Sequence, residues 1–359
     1  MEFALDDTQQ SVRDLATEVL SRERDREQPA DAETASLWKA MAAAGLLSLA
    51  VPERLGGAGL GPMATGVLLT EVGRYAAQVP ALATLALGVL PIARHGTEQQ
   101  QDRLLGEADS GQILTAAVNE PSAPLPGAPK TLARREKGSL VVSGTKTDVL
   151  HADVAREILV PVTVDDGGTA IAVVRPDAAG LSRETGPMSG ARAATLRFEQ
   201  VRAERLGEDP GAVADLYRCA LAGMCALGDG AVGGALDLTT EHVRTRTQFG
   251  RPLATFQAVA GQTADIYVTA RTLHLAALSA CWRLAEGRDA DDELAVAALW
   301  LAEEAPAAMH VAQHLHGGVG VDSTYPLHRH YSLVKDLARL VGGAGHRVDA
   351  LADQLAMEC

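Results

Sequence analysis

The chain has 359 residues and a formal net charge of −14. An anionic chain repels phosphate, which excludes a general nucleic-acid or anionic-membrane surface and leaves any anionic ligand to a local basic cluster. Apolar residues make up 47% and aromatics only 3%, so Ala and Leu carry the packing; this favours close-packed helices over a β-sandwich, in two or three domains or one large assembly of layers, with a substantial core.

Residues 1–113 read as a helical domain. Asp6 or Asp7 is placed to cap a first helix, with Val12, Leu15, Val19 and Leu20 on one face. VPERLGGAGLG (51–61) breaks the pattern with glycines and MATGVLLTEVGRYA resumes it, while RYAAQVPALATLALG (74–88) reads as a core helix pair. The amino-terminal MEFALDDTQQSVRDL is acidic and amphipathic, which is not the pattern of a signal peptide.

Near residue 114 the period changes, and residues 114–208 read as a β domain. SLVVSGTKTDVL is one strand. REILVPVTVDDGGTAIAVVRP is a hairpin: Ile158, Val160, Val162 and Val164 alternate, DDGG turns, and Ile171 and Val173 alternate back. Pro161 predicts an edge strand. RAATLRFEQVRAERLG forms the last strand and its exit.

Residues 209–359 return to helices. Ile266, Ala270, Leu273, Ala277, Cys281 and Leu284 form one stripe, and Val348, Leu351 and Leu355 another. GRDADDELA (287–295) is a connecting loop with an N-cap, and Trp282 and Trp300 belong to the core. Cys219, Cys225, Cys281 and Cys359 have no C-x-x-C spacing, which predicts free thiols in a reducing cytoplasm. No apolar run reads as long enough to cross a bilayer.

Two stretches carry chemistry. RTRTQFGRPLATFQ (244–257) gathers Arg244, Arg246, Gln248, Arg251 and Gln257 around Phe249 and Pro252. Forked guanidinium and amide donors suit a dinucleotide pyrophosphate, and equally a solvated helix end whose arginines complement the dipole. AQHLHGGVGVDSTYPLHRHYSLVKD (312–336) offers Gly317 and Gly318 for close backbone approach. Its histidines at 314, 316, 328 and 330 come in pairs two apart, a spacing for strands, with no carboxylate or cysteine to complete a metal set; loop-capping or cofactor-contacting roles follow.

Taken together, RTQFGRPLATFQ and QHLHGGVG…YPLHR resemble the two C-terminal motifs of flavin-dependent acyl-CoA dehydrogenases, and PERLGGAGLG (52–61) an N-terminal motif of the same family. The resemblance spans nearly the whole chain. It implies a mainly α fold with a small β domain: an N-terminal helical domain, a central β-barrel domain and a C-terminal four-helix bundle that also serves oligomerisation. It implies FAD shared between subunits, its ring on one β domain and its ADP half on a neighbour's C-terminal helices. Arg246 and Gln248 would meet the pyrophosphate, Phe249 and Gln257 the adenosine side, and Gly317 and Gly318 would give backbone contact. His314 stands where many relatives carry glutamine. The helices at 74–88 would border an acyl tunnel.

The ring half departs from the family. Where relatives carry a T-E-P-x-x-G-S-D-like loop this chain has VNEPSAPLPGAPK (118–130). Asp148 stands at a tryptophan's place and Leu150 at a hydroxyl's. Aspartate cannot stack on a ring, and its charge opposes an anionic reduced flavin. Gly342 stands at the place of the catalytic glutamate, and Ala220 at the alternative position used by some relatives, so no catalytic residue is assigned.

The expectation is a subunit without its own base in a heteromeric α2β2 acyl-CoA dehydrogenase of the cytoplasm, inactive alone. It would supply ADP-half contacts to a sister subunit that acts on a bulky or steroid side-chain CoA, with an electron-transferring flavoprotein as acceptor. One alternative is a homomeric enzyme whose base is displaced to Asp215 or Asp229. Another is a flavin-free acyl-CoA-binding or scaffold subunit.

Overall fold

A computed structural model describes residues 4–24, 30–107, 110–188 and 192–357. The amino-terminal helices are α1 (Asp7–Arg24), α2 (Ala30–Ala43) and α3 (Pro62–Arg74). They are followed by a π-helical stretch, Leu82–Val89, that runs into α4 (Leu90–His95), and by α5 (Glu98–Leu105). Asp6 caps α1: its Oδ1 accepts from the Gln9 N–H at 2.8 Å while Gln9 Oε1 accepts from the Asp6 N–H at 3.2 Å. Val12, Val19 and Leu20 are buried as predicted, whereas Leu15 is 37% exposed and leaves the apolar stripe.

Seven strands form the central sheet: β1 (Leu114–Ala116), β2 (Leu132–Glu136), β3 (Ser139–Leu150), β4 (Glu157–Val164), β5 (Thr169–Val174), β6 (Leu181–Pro187) and β7 (Arg192–Arg205). The order β4-β2-β3-β7-β5 closes on itself because β5 pairs with both β7 and β4, so the sheet is a barrel; β1 adds to β4 and β6 to β7. Ile158, Val160, Val162 and Val164 fill the barrel interior, while Leu159, Ile171 and Val173 pack outward against the helices. Burial on both faces explains the near-continuous apolar runs.

The edge-strand expectation fails, because β4 is central. One flank of β4 pairs with β1 through Leu159 and with β2 from Thr163 onward. Pro161 falls in the gap between them, where a missing N–H breaks no named ladder.

The C-terminal helices are α6 (Ala212–Thr245), α7 (Gln257–Ala285), α8 (Asp291–Ala302), α9 (Glu304–His316), α10 (Leu327–Leu340) and α11 (Gly343–Met357). All six residues of the α7 stripe are buried. Val348 of α11 is 49% exposed, contrary to its predicted place in a core stripe; the Leu355 side chain lies outside the described residues. Trp282 and Trp300 are partly buried against the core. Ala290 precedes α8 without a side-chain cap, and Asp291 instead grips Arg218 of α6 in a bidentate pair at 2.6 and 2.7 Å.

At 34 residues, α6 is long and apolar enough to cross a bilayer by length and composition, contrary to the sequence reading. The same holds for the stretch Asp291–Val321. In α6, 83% of the apolar window is buried inside the protein, so its apolarity serves the core. Cys219, Cys225 and Cys281 are buried free thiols whose pKa values burial pushes up.

Candidate functional site

At the end of α6 the chain leaves the helix at Arg246 and folds back on itself. Thr247–Gln248 (β8) pairs with Arg251–Pro252 (β9), and the Leu253 N–H donates to the Arg246 carbonyl at 2.9 Å. Phe249 and Gly250 make the turn with φ of 51° and 77°. Glycine adopts this freely, but phenylalanine there is strained, a feature that collects at functional positions. Phe249 is 91% exposed. It meets Phe256 edge-on at 6.1 Å, and the Arg251 guanidinium lies 4.0 Å over the Phe256 ring.

Arg244, Arg246 and Gln248 are exposed, and neither Arg244 nor Arg246 meets a carboxylate among the described residues. Gln257 opens α7 directly beside them. One corner of the bundle thus presents Arg246, Gln248, Phe249 and Gln257 together.

The second stretch abuts the same end. His316, in the last turn of α9, is buried and stacks on His242 of α6 at 4.5 Å, one helical turn before Arg246. His314 is exposed on that turn, and Gly317, with φ of 61°, and Gly318 open the following 3₁₀ turn with their backbone in solvent. His242 is a residue that sequence reasoning missed; its only signal is the helical spacing to Arg246. Burial holds both stacked imidazoles below the ordinary histidine pKa.

The four histidines sit on helices, not strands, so residues two apart diverge. His328 Nδ1 is 2.8 Å from the Tyr325 carbonyl and His330 Nδ1 is 3.1 Å from that of Ala231. Among the described residues, no three His, Cys, Asp or Glu side chains converge as a metal site.

The places assigned to a flavin ring and a base look different. Asp148 and His151 both have left-handed backbone, φ of 54° and 52°, and the β3–β7 register shifts between Lys146 and Val149. Asp148 reaches across to pair with Arg339 of α10. Asn119 Nδ2 donates to the Leu340 carbonyl at 3.0 Å, and Asn119 Oδ1 accepts from the Leu125 N–H at 3.1 Å. These bonds seat the proline-rich loop on the α10–α11 turn. At Gly342, with φ of 99°, an added Cβ would stand 2.5 Å from Pro124 Cγ and 2.7 Å from the His346 ring. Pro124 and His346 thus occupy the space that a side chain at position 342 would enter.

Beneath this seal lies a buried ion pair: Lys146 Nζ is 2.9 Å from Glu120 Oε1. Glu120 also accepts from the N–H groups of Lys130 and Thr131 at 2.7 and 2.9 Å. Burial raises the Glu120 carboxyl, but the Lys146 ammonium and then these hydrogen bonds outweigh it and hold the pKa below the usual range, while burial brings Lys146 down to about 8.

Neither candidate for a displaced base is free. Arg94 grips Asp215 at 2.6 and 2.9 Å, and His95 Nε2 approaches it at 2.7 Å. Burial alone would raise the Asp215 carboxyl; His95 and Arg94 outweigh it and hold the pKa down at about 2. Asp229 lies 2.9 Å from His274 Nδ1, on a separate cavity of 450 Å³ between α1, α3, α6 and α7. Ala220 is fully buried and apolar.

A cleft of 1070 Å³ opens between α2, the 76–83 segment, the end of β3 and α10. Leu82, Ala83, Leu227 and Leu337 give it apolar walls. Residues 76–83 line this cleft, and most of the segment is buried in the core. Among the described residues that line the cleft, Asp336 of α10 is the one carboxylate, and sequence reasoning did not single it out.

Comparison with known proteins agrees with this architecture. Residues 5–112 match the acyl-CoA dehydrogenase N-terminal domain and residues 215–347 the acyl-CoA dehydrogenase C-terminal domain. The chain is 43% identical to acyl-CoA dehydrogenase FadE28 of Mycobacterium tuberculosis, over 99% of this chain and 100% of that protein. It is 32% identical to FadE27 of the same organism, over 89% and 88%. A variant of the Tcur3481-Tcur3483 steroid ACAD superposes with a TM-score of 0.90 at 35% identity, covering 98% of both chains. The ChsE4-ChsE5 complex of M. tuberculosis superposes at 0.89 with 30% identity and 99% coverage of each.

The chain belongs to the acyl-CoA dehydrogenase family, a family of FAD-dependent oxidoreductases. Its N-terminal helical domain, β barrel and C-terminal helices are that family's fold.

Proposed function

We propose that this chain is the subunit without a catalytic base of a heteromeric, FAD-dependent acyl-CoA dehydrogenase. Its two halves of a flavin site fit the cofactor unequally. The exposed corner of Arg246, Gln248, Phe249 and Gln257, with His314 and the Gly317–Gly318 backbone beside it, fits the ADP half of an FAD whose ring rests on a partner. The chain's own ring position fits poorly, because Asp148, paired with Arg339, stands where a stacking ring is expected and Pro124 crowds Gly342.

That contrast between an open grip and a sealed ring site is the observation that carries the reading. FAD, when bound, supplies hydride acceptance at Cβ of an acyl thioester. The α-proton goes to a carboxylate that we assign to the partner. On this chain the arginine donors bind and orient the pyrophosphate, and Phe249 shields the adenosine side from water.

Residues 1–113, 114–208 and 209–359 serve as the three domains, the last also forming the subunit contact in an α2β2 assembly. The names of the two superposed structures, a two-chain steroid ACAD and a two-chain complex, support a bulky or steroid side-chain CoA as substrate and a heteromeric partner. Electron-transferring flavoprotein as acceptor and a cytoplasmic location complete the proposal.

The first test is the FAD-to-polypeptide ratio of the chain purified alone from a flavin-replete host. A ratio near zero in a folded protein supports the reading, and a ratio near one overturns it. A second reading, a homomeric enzyme with a displaced base, now rests on Asp336, since Asp215 and Asp229 do not line the cleft. It requires turnover by the chain alone that Asp336→Asn abolishes.

A further inference from the structure

The second cavity, 450 Å³ between α1, α3, α6 and α7, shares no lining residue with the cleft or with the hairpin at 247–252. Its size falls within the roughly 300–1,000 Å³ usual for a small-molecule site. Met63 and Val67 of α3 and Ala277 and Leu278 of α7 give it apolar walls. Set among them are two carboxylates, Glu71 of α3 and Asp229 of α6, only 6% and 7% exposed. A buried carboxylate is costly unless its oxygens are satisfied, and these are satisfied only in part. Glu71 Oε2 accepts from the Thr17 hydroxyl at 3.2 Å, but the one ion pair Glu71 makes among the described residues, from Arg74 Nε to Oε1, spans 3.9 Å, beyond hydrogen-bond reach. Burial accordingly pushes the Glu71 carboxyl above its ordinary pKa. Asp229 Oδ2 meets His274 Nδ1 at 2.9 Å and the Thr70 hydroxyl at 3.4 Å, while its Oδ1 has no partner among the described residues. That contact keeps the proton of a neutral His274 on Nδ1 and makes Nε2 an acceptor, which also has no hydrogen bond among the described residues. The arginines at the mouth are engaged elsewhere: Arg74 pairs with Asp237 at 2.6 Å, and Arg13 lies 3.5 Å from Asp14. Acceptors on Glu71, Asp229 and His274 thus line one apolar cavity without matching donors. Among the described residues no three His, Cys, Asp or Glu side chains could hold a metal ion, which favours an organic cation over an inorganic one. A primary ammonium brings three donors and no acceptor, and its bonds to carboxylates are charge-assisted.

We infer that this cavity is a binding site for a small primary amine in its ammonium form, carried on a compact apolar body, whose N–H groups meet Glu71, Asp229 and His274 Nε2. Hydrogen bonds and burial alone hold the ligand, which stays chemically unchanged. The inference stands independently of the reading of the flavin site.

The test is isothermal titration calorimetry of the full chain with phenethylammonium, its neutral counterpart 2-phenylethanol and the anion phenylacetate, repeated in potassium and in magnesium chloride. Saturable binding of phenethylammonium is expected, with 2-phenylethanol weaker by roughly tenfold or more, the loss of one charge-assisted bond, and phenylacetate without effect. Glu71→Gln keeps an acceptor for Thr17 but removes the charge, and should weaken phenethylammonium binding by a similar factor. Ala277→Leu, which narrows the cavity, should weaken it several-fold. Melting curves show whether each variant folds; if Glu71→Gln does not, Ala277→Leu and the ranking of the three probes decide. The proposal is overturned by absence of saturable binding, by equal binding of 2-phenylethanol or phenylacetate, by displacement of phenethylammonium by equimolar potassium or magnesium, or by binding indifferent to the substitutions.

Discussion

The hairpin at 247–252 and the turn at 340–345, which the proposed function assigns to the two halves of one kind of cofactor site, are built oppositely. The hairpin holds its shape with few contacts and leaves its donors in water, with a strained Phe249 at the tip. The turn has Gly342 wedged between Pro124 and His346, and its flanks bonded to Asn119 and Asp148. The first arrangement suits a ligand held jointly with another molecule, because unpaired donors keep their binding free energy for the partner. The second suits a site that has no ligand of its own. A local sequence keeps a grip, whereas a seal takes several distant segments that agree with one another.

The contrast can be broken most forcefully at the grip. Each charge-assisted hydrogen bond contributes roughly 1.5–3 kcal/mol, so Arg246→Ala should weaken FAD retention by the assembled complex on the order of 10- to 100-fold. Gel filtration with flavin fluorescence measures this. Unchanged flavin content would instead favour a flavin-free scaffold subunit.

Next in size comes the seal. Gly342→Glu puts a carboxylate where the resemblance to the family expects one, but at a backbone conformation that costs about 1–3 kcal/mol for a side chain and into overpacked space that costs a similar amount. The variant should melt lower and gain no dehydrogenase activity; activity in the chain alone would show that the site was never closed.

A third prediction separates structural from catalytic carboxylates. The Asp215 pKa is depressed to about 2, so its stabilising contribution is fully present above the unfolded value near 4 and is lost as pH falls through about 2. The difference corresponds to about 2 kcal/mol. Asp215→Asn should lower stability at pH 7 by that order and flatten the dependence between pH 2 and 5 in denaturant titrations, with no change in flavin content. A loss of turnover at unchanged stability would restore Asp215 as a base.

The smallest effect is expected at Asp148. Its pair with Arg339 is partly exposed and contributes about 0–1 kcal/mol. Asp148→Gly loses that pair but relieves a left-handed backbone, so the melting point should move little. A large drop would mean that the latch, not the proline loop, holds the seal.

What the sequence disclosed follows from how far apart the interacting parts lie. The hairpin was legible because its donors fall within fourteen positions, and the barrel hairpin because alternation and DDGG are local. The seal was only half legible: the missing tryptophan and glutamate could be read, but not what replaced them. Asp148 meets a residue 191 positions away, and Asn119 one 221 positions away. Asp336 went unnoticed because no local pattern announces that a helical aspartate lines a cleft. Pro161 misled for a related reason, since a gap between two partner strands is a property of the sheet and not of β4.

The exposed ring of Phe249 has a consequence for the life of an unassembled copy. A bare phenylalanine on a protruding two-residue turn, flanked by arginines, is an accessible substrate for proteases of chymotrypsin-like or trypsin-like preference. In the proposed assembly a partner and its cofactor would cover the corner and protect the same bonds. Surplus chains would be nicked between the bundle's first two helices while paired ones persist, so this one turn would keep the stoichiometry of the subunits matched.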